Sequence, residues 1–257
     1  MKIISVCNQK GGCAKTTTTI NLAASLVNEG KKVLIIDNDY QANLTMSIGI
    51  KPGKHSLLNC FTENIDINNL IIPVSTLEHL YIIPSNLDYS NADHILLNAK
   101  NNKFLFKKIF SKLEQKYDYI LIDCAPSLNL TVINALVASD SILVPLEPSI
   151  FNLQGLGHLV QIINLVKSGL NPKLEIEGIL LTRVDVRSKV SAEFRAEIEK
   201  IFPNKILETE IHLNTAINRS QSCGLPVSIY EPSSKGAMQY NQLAKEILNN
   251  ELSLIHI

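Results

Sequence analysis

Short apolar runs that lack polar alternation recur along the chain, separated by stretches with helical periodicity. Six runs are rich in β-branched residues, at positions 3–6, 32–36, 80–83, 119–122, 141–144 and 177–181. Helical patterns lie between and after them, at 16–28, 104–116, 153–166, 192–201 and 235–249. A strand that is apolar on both faces must be covered on both faces, as parallel strands flanked by helices are. The alternation predicts an α/β fold with an open, doubly wound, mainly parallel sheet.

Length and composition are those of one compact domain. The 257 residues are 46% apolar and contain no linker rich in Pro, Gly or Ser, so a single domain over 1–257 is expected. Lys and Arg together number 24, as do Asp and Glu, so any binding to nucleic acid must come from a local patch. Five scattered cysteines without CxxC pairs, no secretory signal and no apolar run of bilayer length predict a cytoplasmic protein.

A glycine loop follows the first predicted strand and leads into the first helix. It reads Asn8-Gln9-Lys10-Gly11-Gly12-Cys13-Ala14-Lys15-Thr16-Thr17. In doubly wound sheets, ligands bind beyond the carboxyl ends of the strands. Backbone N–H groups of such a loop can surround phosphate oxygens, Lys15 can reach the β- and γ-phosphates, and Thr16 can ligate Mg²⁺. The alternative is a glycine-lysine turn that only begins a helix.

The loop departs from the generic pattern G-x-x-x-x-G-K-[ST], because Gln9 and Ala14 replace its glycines. It matches K-G-G-x-x-K-[ST], in which an additional lysine, Lys10, precedes the glycine pair. In this the sequence resembles the ParA/MinD superfamily of P-loop NTPases with a deviant Walker A motif, and the ParA/Soj partition ATPases in particular. Ala14 would be strained if its position requires a positive φ.

Three aspartates stand at or just beyond the ends of two further predicted strands: Asp37 and Asp39 after Ile36, and Asp123 after Ile122. Each alone could be the N-cap of a following helix. Together with a lysine-threonine loop they predict a site for a magnesium nucleotide, since phosphoryl transfer needs positioning and charge neutralisation.

The same segments carry the resemblance further. Residues 37–43 resemble the family's D-x-D-P-Q-x-N with Tyr40 in place of proline, and residues 117–127 resemble Y-D-Y-I-x-I-D-x-P-P-S with Ala125 in place of the first proline. The resemblance implies catalytic roles for Lys10, Lys15 and Asp39, and magnesium binding by Thr16, Asp37 and Asp123. It implies ATP contacts from Lys10, Gly11, Gly12, Cys13, Ala14, Lys15, Thr16, Thr17 and Asn214.

The resemblance also implies a cycle and its partners. In the family the additional lysine, here Lys10, reaches the nucleotide of a second subunit, so ATP joins a homodimer. The dimer is expected to bind non-specific DNA, to be nucleoid-associated while ATP-bound, and to hydrolyse ATP under stimulation by a ParB-like protein. The implied activity is chromosome or plasmid partitioning, without a membrane partner.

Basic residues late in the chain are the candidates for DNA contacts. Arg187 stands where ParA-like proteins carry a DNA-contacting arginine, whereas a second basic position of the family is Ala216 here, with Arg219 nearby. We expect Arg187, Arg219 and Lys235 to form a patch whose phosphate contacts are salt-sensitive and independent of sequence. The alternative for each is an ordinary solvated side chain.

Two other functions are possible on this fold. The first is a MinD-like or cargo-positioning ATPase acting through a protein partner, although residues 243–257 lack the cationic face of a membrane anchor. The second is an electron-transfer enzyme related to the nitrogenase iron protein, which would need paired cysteines, whereas Cys13 and Cys124 read as small filler residues. The six histidines show no metal-ligand spacing, and only His212 falls near a nucleotide position by resemblance.

Overall fold

The computed structural model describes residues 1–255, and for residues 150–155, 189, 190, 192 and 252–255 it describes the backbone alone. His256 and Ile257, the last residues of the C-terminal segment compared above with a membrane anchor, lie outside the described residues. None of the helices within the described part combines the length and apolar character that crossing a bilayer requires.

One seven-stranded sheet forms the centre of the molecule. Its strands are β1 (Lys2–Val6), β2 (Val33–Asn38), β3 (Ile72–Pro73), β4 (Leu80–Ile83), β5 (Tyr119–Cys124), β6 (Ser141–Leu146) and β7 (Glu175–Leu181). They lie in the order β3-β4-β2-β5-β1-β6-β7, and all pairs are parallel except β3 with β4. The predicted doubly wound, mainly parallel sheet is confirmed, with the chain crossing over on both sides of β1.

Eleven α-helices surround the sheet within the described residues. They are α1 (Lys15–Asn28), α2 (Asn43–Ser47), α3 (Asn59–Thr62), α4 (Ala92–Leu97), α5 (Leu105–Phe110), α6 (Leu130–Ala138), α7 (Ile150–Gly169), α8 (Lys189–Ile201), α9 (Thr215–Ser222), α10 (Val227–Tyr230) and α11 (Lys235–Ile255). Short 3₁₀ turns lie at Ile67–Leu70 and Leu87–Asn91.

The two faces of the sheet bury separate apolar clusters. Along β5, Ile120 and Ile122 point into a cluster formed with α4 to α8, whereas Tyr119 and Leu121 point into one formed with α1, α9 and α11. This alternation is that of a strand covered on both sides. The six predicted strands are therefore confirmed, each within two residues of its expected ends.

Six helices lie outside the helical patterns named above: α2, α3, α4, α6, α9 and α10. Two further elements differ from the sequence-based expectation for physical reasons. Strand β3 was not predicted, because it is only two residues long, has exposed side chains and contains Pro73. The helix expected over 104–116 is limited to Leu105–Phe110, because the turns that follow Phe110 bond to a distant segment: Asn68 contacts the Lys112 carbonyl and the Glu114 amide.

A backbone contact joins the end of α2 to the end of α9. Gly49 and Gly224 both have positive φ, at 78° and 67°. A Cβ atom at Gly224 would lie 2.7 Å from Gly49 Cα and 2.9 Å from its nitrogen, distances that backbone atoms cannot relieve by a rotamer change. Only glycine suits Gly224, because its conformation and its neighbour both exclude a side chain.

Gly224→Ala should destabilise the fold by about 2 kcal/mol, from overpacking and left-handed strain together. For a domain of this size that loss lowers the Tm by about 4–8 °C, measurable by circular dichroism. Gly53→Ala is the matched control, since a Cβ atom there meets nothing within 4 Å. Equal melting temperatures for the two variants would show that the contact does not constrain the fold.

Candidate nucleotide site

A cavity of about 460 Å³ opens at the carboxyl ends of β1, β2 and β5. Its floor is the glycine loop with the start of α1, and its walls come from the segment after β2, from β7 and the loop after it, and from α9. The lining residues are Gly11, Gly12, Ala14, Lys15, Thr16, Thr17, Asp39, Asn43, Ser47, Cys124, Pro126, Thr182, Arg183, Ile211, His212, Leu213, Asn214, Ile217, Asn218, Gln221 and Tyr240.

The backbone of the glycine loop leaves the start of α1 open to an anion. Gly12 has φ of 79° and Ala14 has φ of 63°, so both are left-handed. Helix α1 begins at Lys15 without a side-chain cap and without an acidic residue in its first turn. The first N–H groups of α1 therefore remain available to an anion, and the helix dipole favours negative charge there.

Hydrogen bonds to β6 and to the residue that follows β7 hold the loop in place. Asn8 donates to the Pro145 carbonyl at 2.7 Å and accepts from the Lys10 amide at 3.1 Å. Thr182 donates to the Cys13 carbonyl at 3.2 Å. The Cys13 side chain is fully buried and does not line the cavity, so its predicted ATP contact is limited to the backbone.

The two lysines of the loop point to different environments. Lys15 is buried, lines the cavity and donates to the Lys10 carbonyl at 3.0 Å, which leaves two of its three N–H donors for phosphate oxygens. The Lys10 side chain is exposed and is not among the cavity-lining residues. The structure thus separates the two predicted catalytic lysines, placing one inside its own cavity and the other outside it.

Thr16 and Asp123 are brought together from the start of α1 and the end of β5. The Thr16 hydroxyl donates to Asp123 Oδ2 at 2.7 Å. The other carboxylate oxygen, Oδ1, is buried without a hydrogen-bond partner among the described residues. Burial, followed by the nearby Asp37 charge, raises the pKa of Asp123 to about 8.

Asp37 lies beside Asp123, because the two residues are register partners on β2 and β5. Its Oδ2 accepts from both the amide and the hydroxyl of Thr45, at 2.9 and 2.6 Å. Burial raises its pKa to about 6, against the opposing effect of the Thr45 hydrogen bonds. Thr45 in turn accepts from the Ser85 amide at 3.0 Å, so Asp37 fixes α2 at the edge of the site.

Asp39 is the carboxylate that reaches the cavity wall. Its Oδ1 accepts from the Gln41 amide at 3.0 Å, and its side chain is partly exposed. None of the three acids occupies the N-cap position of a helix, since these positions are Ala42 and Asn129, but Asp37 accepts a hydrogen bond from the Thr45 amide in the first turn of α2. The acids are therefore positioned by the sheet and by their own hydrogen bonds.

The donor set fits a magnesium ion bound together with phosphates. Within residues 1–255, the described His, Cys, Asp and Glu side chains form no group of three that could hold a metal ion by themselves. Thr16 and the buried, unpartnered oxygen of Asp123 are hard oxygen ligands of the kind Mg²⁺ takes, usually with water and substrate phosphates completing its shell. Asp37 adds negative charge one strand away.

The wall formed by α9 contributes residues that the sequence analysis missed. Asn214 caps this helix by accepting from the Ala216 amide at 2.8 Å, and it lines the cavity as expected. Ile217, Asn218 and Gln221 line the cavity beside it. They follow Asn214 by three, four and seven residues, which is the spacing of residues on one face of a helix. This spacing is the sequence signal that could have predicted them.

Gln221 also joins this wall to the floor of the site. Its amide donates to the Thr17 hydroxyl at 2.9 Å, although the two residues are far apart in sequence. Tyr240 of α11 lies within 3.4 Å of the Thr18 hydroxyl, and Asn21 accepts from the Val227 amide at 2.7 Å. Helix α1 is thereby bonded to three C-terminal elements.

The three residues predicted to contact DNA lie outside the cavity and are exposed. Arg187 follows β7 and is paired with its neighbour Asp185 at 3.3 Å, with its side chain 87% exposed. Arg219 points outward from α9, and Lys235 begins α11. Arg183, an arginine just after β7, instead lines the cavity and pairs with Glu147 at 3.3 Å.

Comparison with known proteins places the chain among nucleotide-dependent proteins. A family model described as an AAA domain matches residues 1–176. The sporulation initiation inhibitor protein Soj of Bacillus subtilis is 39% identical over 97% of this chain and 99% of its own length. The chromosome partitioning protein ParA of Myxococcus xanthus is 37% identical, over 97% of this chain and 89% of its own.

Solved structures with the same fold include nucleotide complexes. A cobyrinic acid a,c-diamide synthase from Mycobacterium smegmatis with bound ATP analog and magnesium matches with a TM-score of 0.86 and 28% identity, over 98% of this chain and 96% of that one. The cell division ATPase MinD of Pyrococcus furiosus matches with a TM-score of 0.79 and 29% identity, over 96% and 98% of the two chains.

The raised pKa of Asp123 predicts a pH dependence of stability without magnesium or nucleotide. The folded-state pKa, about 8, exceeds the unfolded value near 3.8, so this carboxyl stabilises the fold at low pH and the contribution is lost as pH rises toward about 8. The side chain of Asp123→Asn does not ionise, so in this variant the site loses no stability as the pH rises. The Tm of the variant relative to the unmodified protein should rise by on the order of 5–10 °C between about pH 5 and about pH 8. Parallel Tm curves would contradict the assignment.

Proposed function

The chain belongs to the ParA/Soj family of partition ATPases, and from this premise we propose that it is an ATP-dependent switch that dimerises around its nucleotide. In the ATP-bound dimer it binds DNA without sequence preference, and hydrolysis of ATP releases it. The observation that carries the proposal is the separation of the two loop lysines, with Lys15 buried in the cavity and Lys10 exposed outside it.

Lys10 makes ATP part of a dimer interface. Its backbone carbonyl is used by Lys15, but its exposed ammonium has no ion pair among the described side chains. The Lys10 side chain is exposed outside the cavity of its own subunit, so it would be available to the phosphates of a second subunit. A charge supplied in trans makes the affinity between subunits depend on the triphosphate, since ADP lacks the γ-phosphate that Lys10 would neutralise.

Hydrolysis requires few groups beyond the phosphate cradle. Lys15 and the N–H groups of the loop would hold the phosphates of a bound nucleotide. Thr16, supported by Asp123, would hold Mg²⁺, whose charge would offset that of the phosphates. Asp39 at the cavity wall orients the water that attacks the γ-phosphate. Asp37 positions this segment through Thr45 and contributes charge near the metal.

Binding to DNA follows from joining two weak patches. Arg187, Arg219 and Lys235 are exposed, and each subunit of zero net charge offers little long-range attraction by itself. In a dimer, once one patch has bound DNA, the second patch is held close to the same DNA at a high effective concentration. ATP-dependent dimerisation therefore raises the affinity for DNA. The ATP-bound form would then reside on the nucleoid and the released form in the cytoplasm.

A partner protein of the ParB kind would stimulate hydrolysis and so link this cycle to segregation of a chromosome or plasmid. Support comes from the names of the relatives, Soj and ParA, one of them called a chromosome partitioning protein. The Asp37–Thr45 contact gives such a partner a target, because displacing α2 would also move Asp39 relative to the γ-phosphate.

A second candidate is a MinD-like or cargo-positioning ATPase that acts through a protein instead of DNA. It is favoured by the fold likeness to MinD and by Ala216, which is buried in α9 where the family has a basic residue. In that case the ATP cycle and the dimer are retained, and only the outer surface serves a different partner.

ATP should make the protein bind non-specific DNA, and Lys10→Ala should abolish that effect. At moderate salt we expect retention in a gel-shift or co-sedimentation assay with ATP and at least about tenfold weaker retention with ADP, and the ATP-dependent retention should weaken as salt rises, since phosphate contacts release counterions. Lys51→Ala, which changes an exposed lysine away from the loop, is the control.

The double variant Arg187→Glu, Arg219→Glu distinguishes DNA binding from ATP-dependent dimerisation. This variant should dimerise with ATP and lose DNA retention by at least about tenfold, because two favourable phosphate contacts become repulsive. ATP-dependent dimerisation without DNA retention in the unmodified protein would favour the protein-partner alternative. Unchanged retention in the double variant would contradict the assigned patch.

Asp39→Asn should slow hydrolysis without removing nucleotide binding. Loss of the group that orients water costs about 10²–10⁴-fold in kcat, whereas the phosphate cradle remains intact. The variant should therefore accumulate as an ATP-bound dimer in size-exclusion chromatography with light scattering. Glu114→Gln, a change at an exposed residue before the amino end of β5, at the opposite edge of the sheet from the cavity, controls for the loss of a negative charge. A kcat within twofold of the control would remove Asp39 from the mechanism.

A further inference from the structure

A row of unpaired lysines lies on and around α5, away from the nucleotide site. We call it the lysine face, and its members are Lys100, Lys103, Lys107, Lys108, Lys112 and Lys116. All six are exposed. The only acidic residue within 100–116 is Glu114, so a segment of a neutral molecule carries a strong local excess of positive charge.

The packing of α5 directs its two lysines outward. Phe106, Ile109 and Phe110 are buried against the sheet in the cluster that contains β5 and α6. On a helix, the positions between those residues face the opposite way, which places Lys107 and Lys108 toward solvent. Phe104, which is 40% exposed, lies one turn before Lys108 on the same outward side.

The lysine face is not neutralised by the protein itself. None of its lysines forms an ion pair with any side chain that the structure describes, although Lys2, Lys167, Lys200 and Lys245 elsewhere do. Two other acids near this segment, Asp66 and Asp118, accept hydrogen bonds from elsewhere. Asp66, whose pKa is lowered mainly by hydrogen bonds from Asn68 and less by Lys112, accepts from that asparagine, and Asp118 accepts from the Lys32 amide.

This surface is separate from the basic patch of the proposed dimer. Helix α5 packs on the face of the sheet covered by α4 to α8. Arg219 and Lys235 belong to α9 and α11, which cover the other face. Because the sheet lies between them, the lysine face does not form one continuous surface with Arg219 and Lys235, and it needs an explanation of its own.

We propose that the lysine face binds the phosphates of duplex nucleic acid, in a contact that needs no nucleotide and no dimer. The six lysines are exposed in the single chain, and none of them belongs to the glycine loop, to the segment around Asp39 or to α9. Lysine suits such a contact, because its point charge on a long stem follows a phosphate backbone without requiring a fixed geometry. The expected binding is weak, independent of sequence and strongly dependent on salt.

Nucleic acid fits this surface better than a bilayer or an acidic protein. The apolar side of α5 is used in the core, so a bilayer would gain charge attraction without the apolar insertion that interfacial helices contribute. Protein interfaces are depleted in lysine at their centres, whereas phosphate-binding surfaces are enriched in it. Phe104 offers one ring for contact with sugar or base.

The test measures DNA binding by the full chain without nucleotide. Fluorescence anisotropy with a labelled duplex, at several salt concentrations, gives the slope of log K against log salt. Replacing Lys103, Lys107, Lys108 and Lys112 by Gln should lower affinity at low salt by at least about tenfold and reduce the slope by about 3 to 4, since each lost phosphate contact contributes about 0.9. A double Lys107→Gln, Lys108→Gln variant should lose about half as much.

A charge-matched control replaces Lys31, Lys51, Lys54 and Lys173 by Gln, all outside the segment. It should bind like the unmodified chain. Equal losses in both quadruple variants, or no measurable binding by the unmodified chain without nucleotide, would overturn the proposal. Tighter lysine-dependent binding to phosphatidylglycerol vesicles than to DNA would overturn the choice of nucleic acid.

The outcome is independent of the proposed function. If the lysine face acts as inferred, its quadruple variant still gains DNA affinity when ATP is added, because Lys10 and Arg187 are intact. If the ATP-dependent gain is absent from the unmodified chain while nucleotide-free binding depends on the lysines, the switch proposal fails and the lysine face stands.

Discussion

The register of three parallel strands determines where the chemistry of this protein lies. With β5 paired between β2 and β1, Asp37 and Asp123 become neighbours, and the loop that leaves β1 turns toward them. The Thr16–Asp123 hydrogen bond of 2.7 Å then joins the loop to the acids. A shift of one residue would turn these side chains to opposite faces, so the buried apolar positions of the strands also fix the geometry of the site.

Much of this arrangement could be predicted from the sequence, because it depends on local patterns. The apolar runs gave the six longer strands, and the loop with its following acids gave the floor of the cavity. The wall made by α9 was only partly predictable: Asn214 came from family resemblance, whereas Asn218 and Gln221 reach the cavity by packing across a long separation in sequence. The limits of α5 likewise depend on Asn68, a distant partner that no helical pattern reveals.

The charge distribution separates the two faces of the molecule. A total charge of zero conceals an unpaired group of lysines on the side of α5 and exposed basic residues associated with α9 and α11 on the other. The sheet lies between these two surfaces and keeps Asp37 and Asp123 away from solvent. Their burial raises the pKa values of both carboxyl groups above the usual range. A cation bound with phosphate would offset the free energy needed to keep these two carboxylates ionised in a buried position. Ligand binding and the stability of the fold at the carboxyl ends of β2 and β5 are therefore thermodynamically linked.

Ala14 has a consequence for the entropy of nucleotide binding. A glycine loop samples many conformations, and a ligand that requires one of them must overcome that freedom. In this chain the position has φ of 63° although it carries a methyl group, and the loop is held by Asn8 and Thr182. A methyl group disfavours this left-handed conformation, so the contacts of Asn8 and Thr182 must hold the loop in it, and the strain is offset when the protein folds. Nucleotide then meets a loop that has already lost most of its conformational freedom.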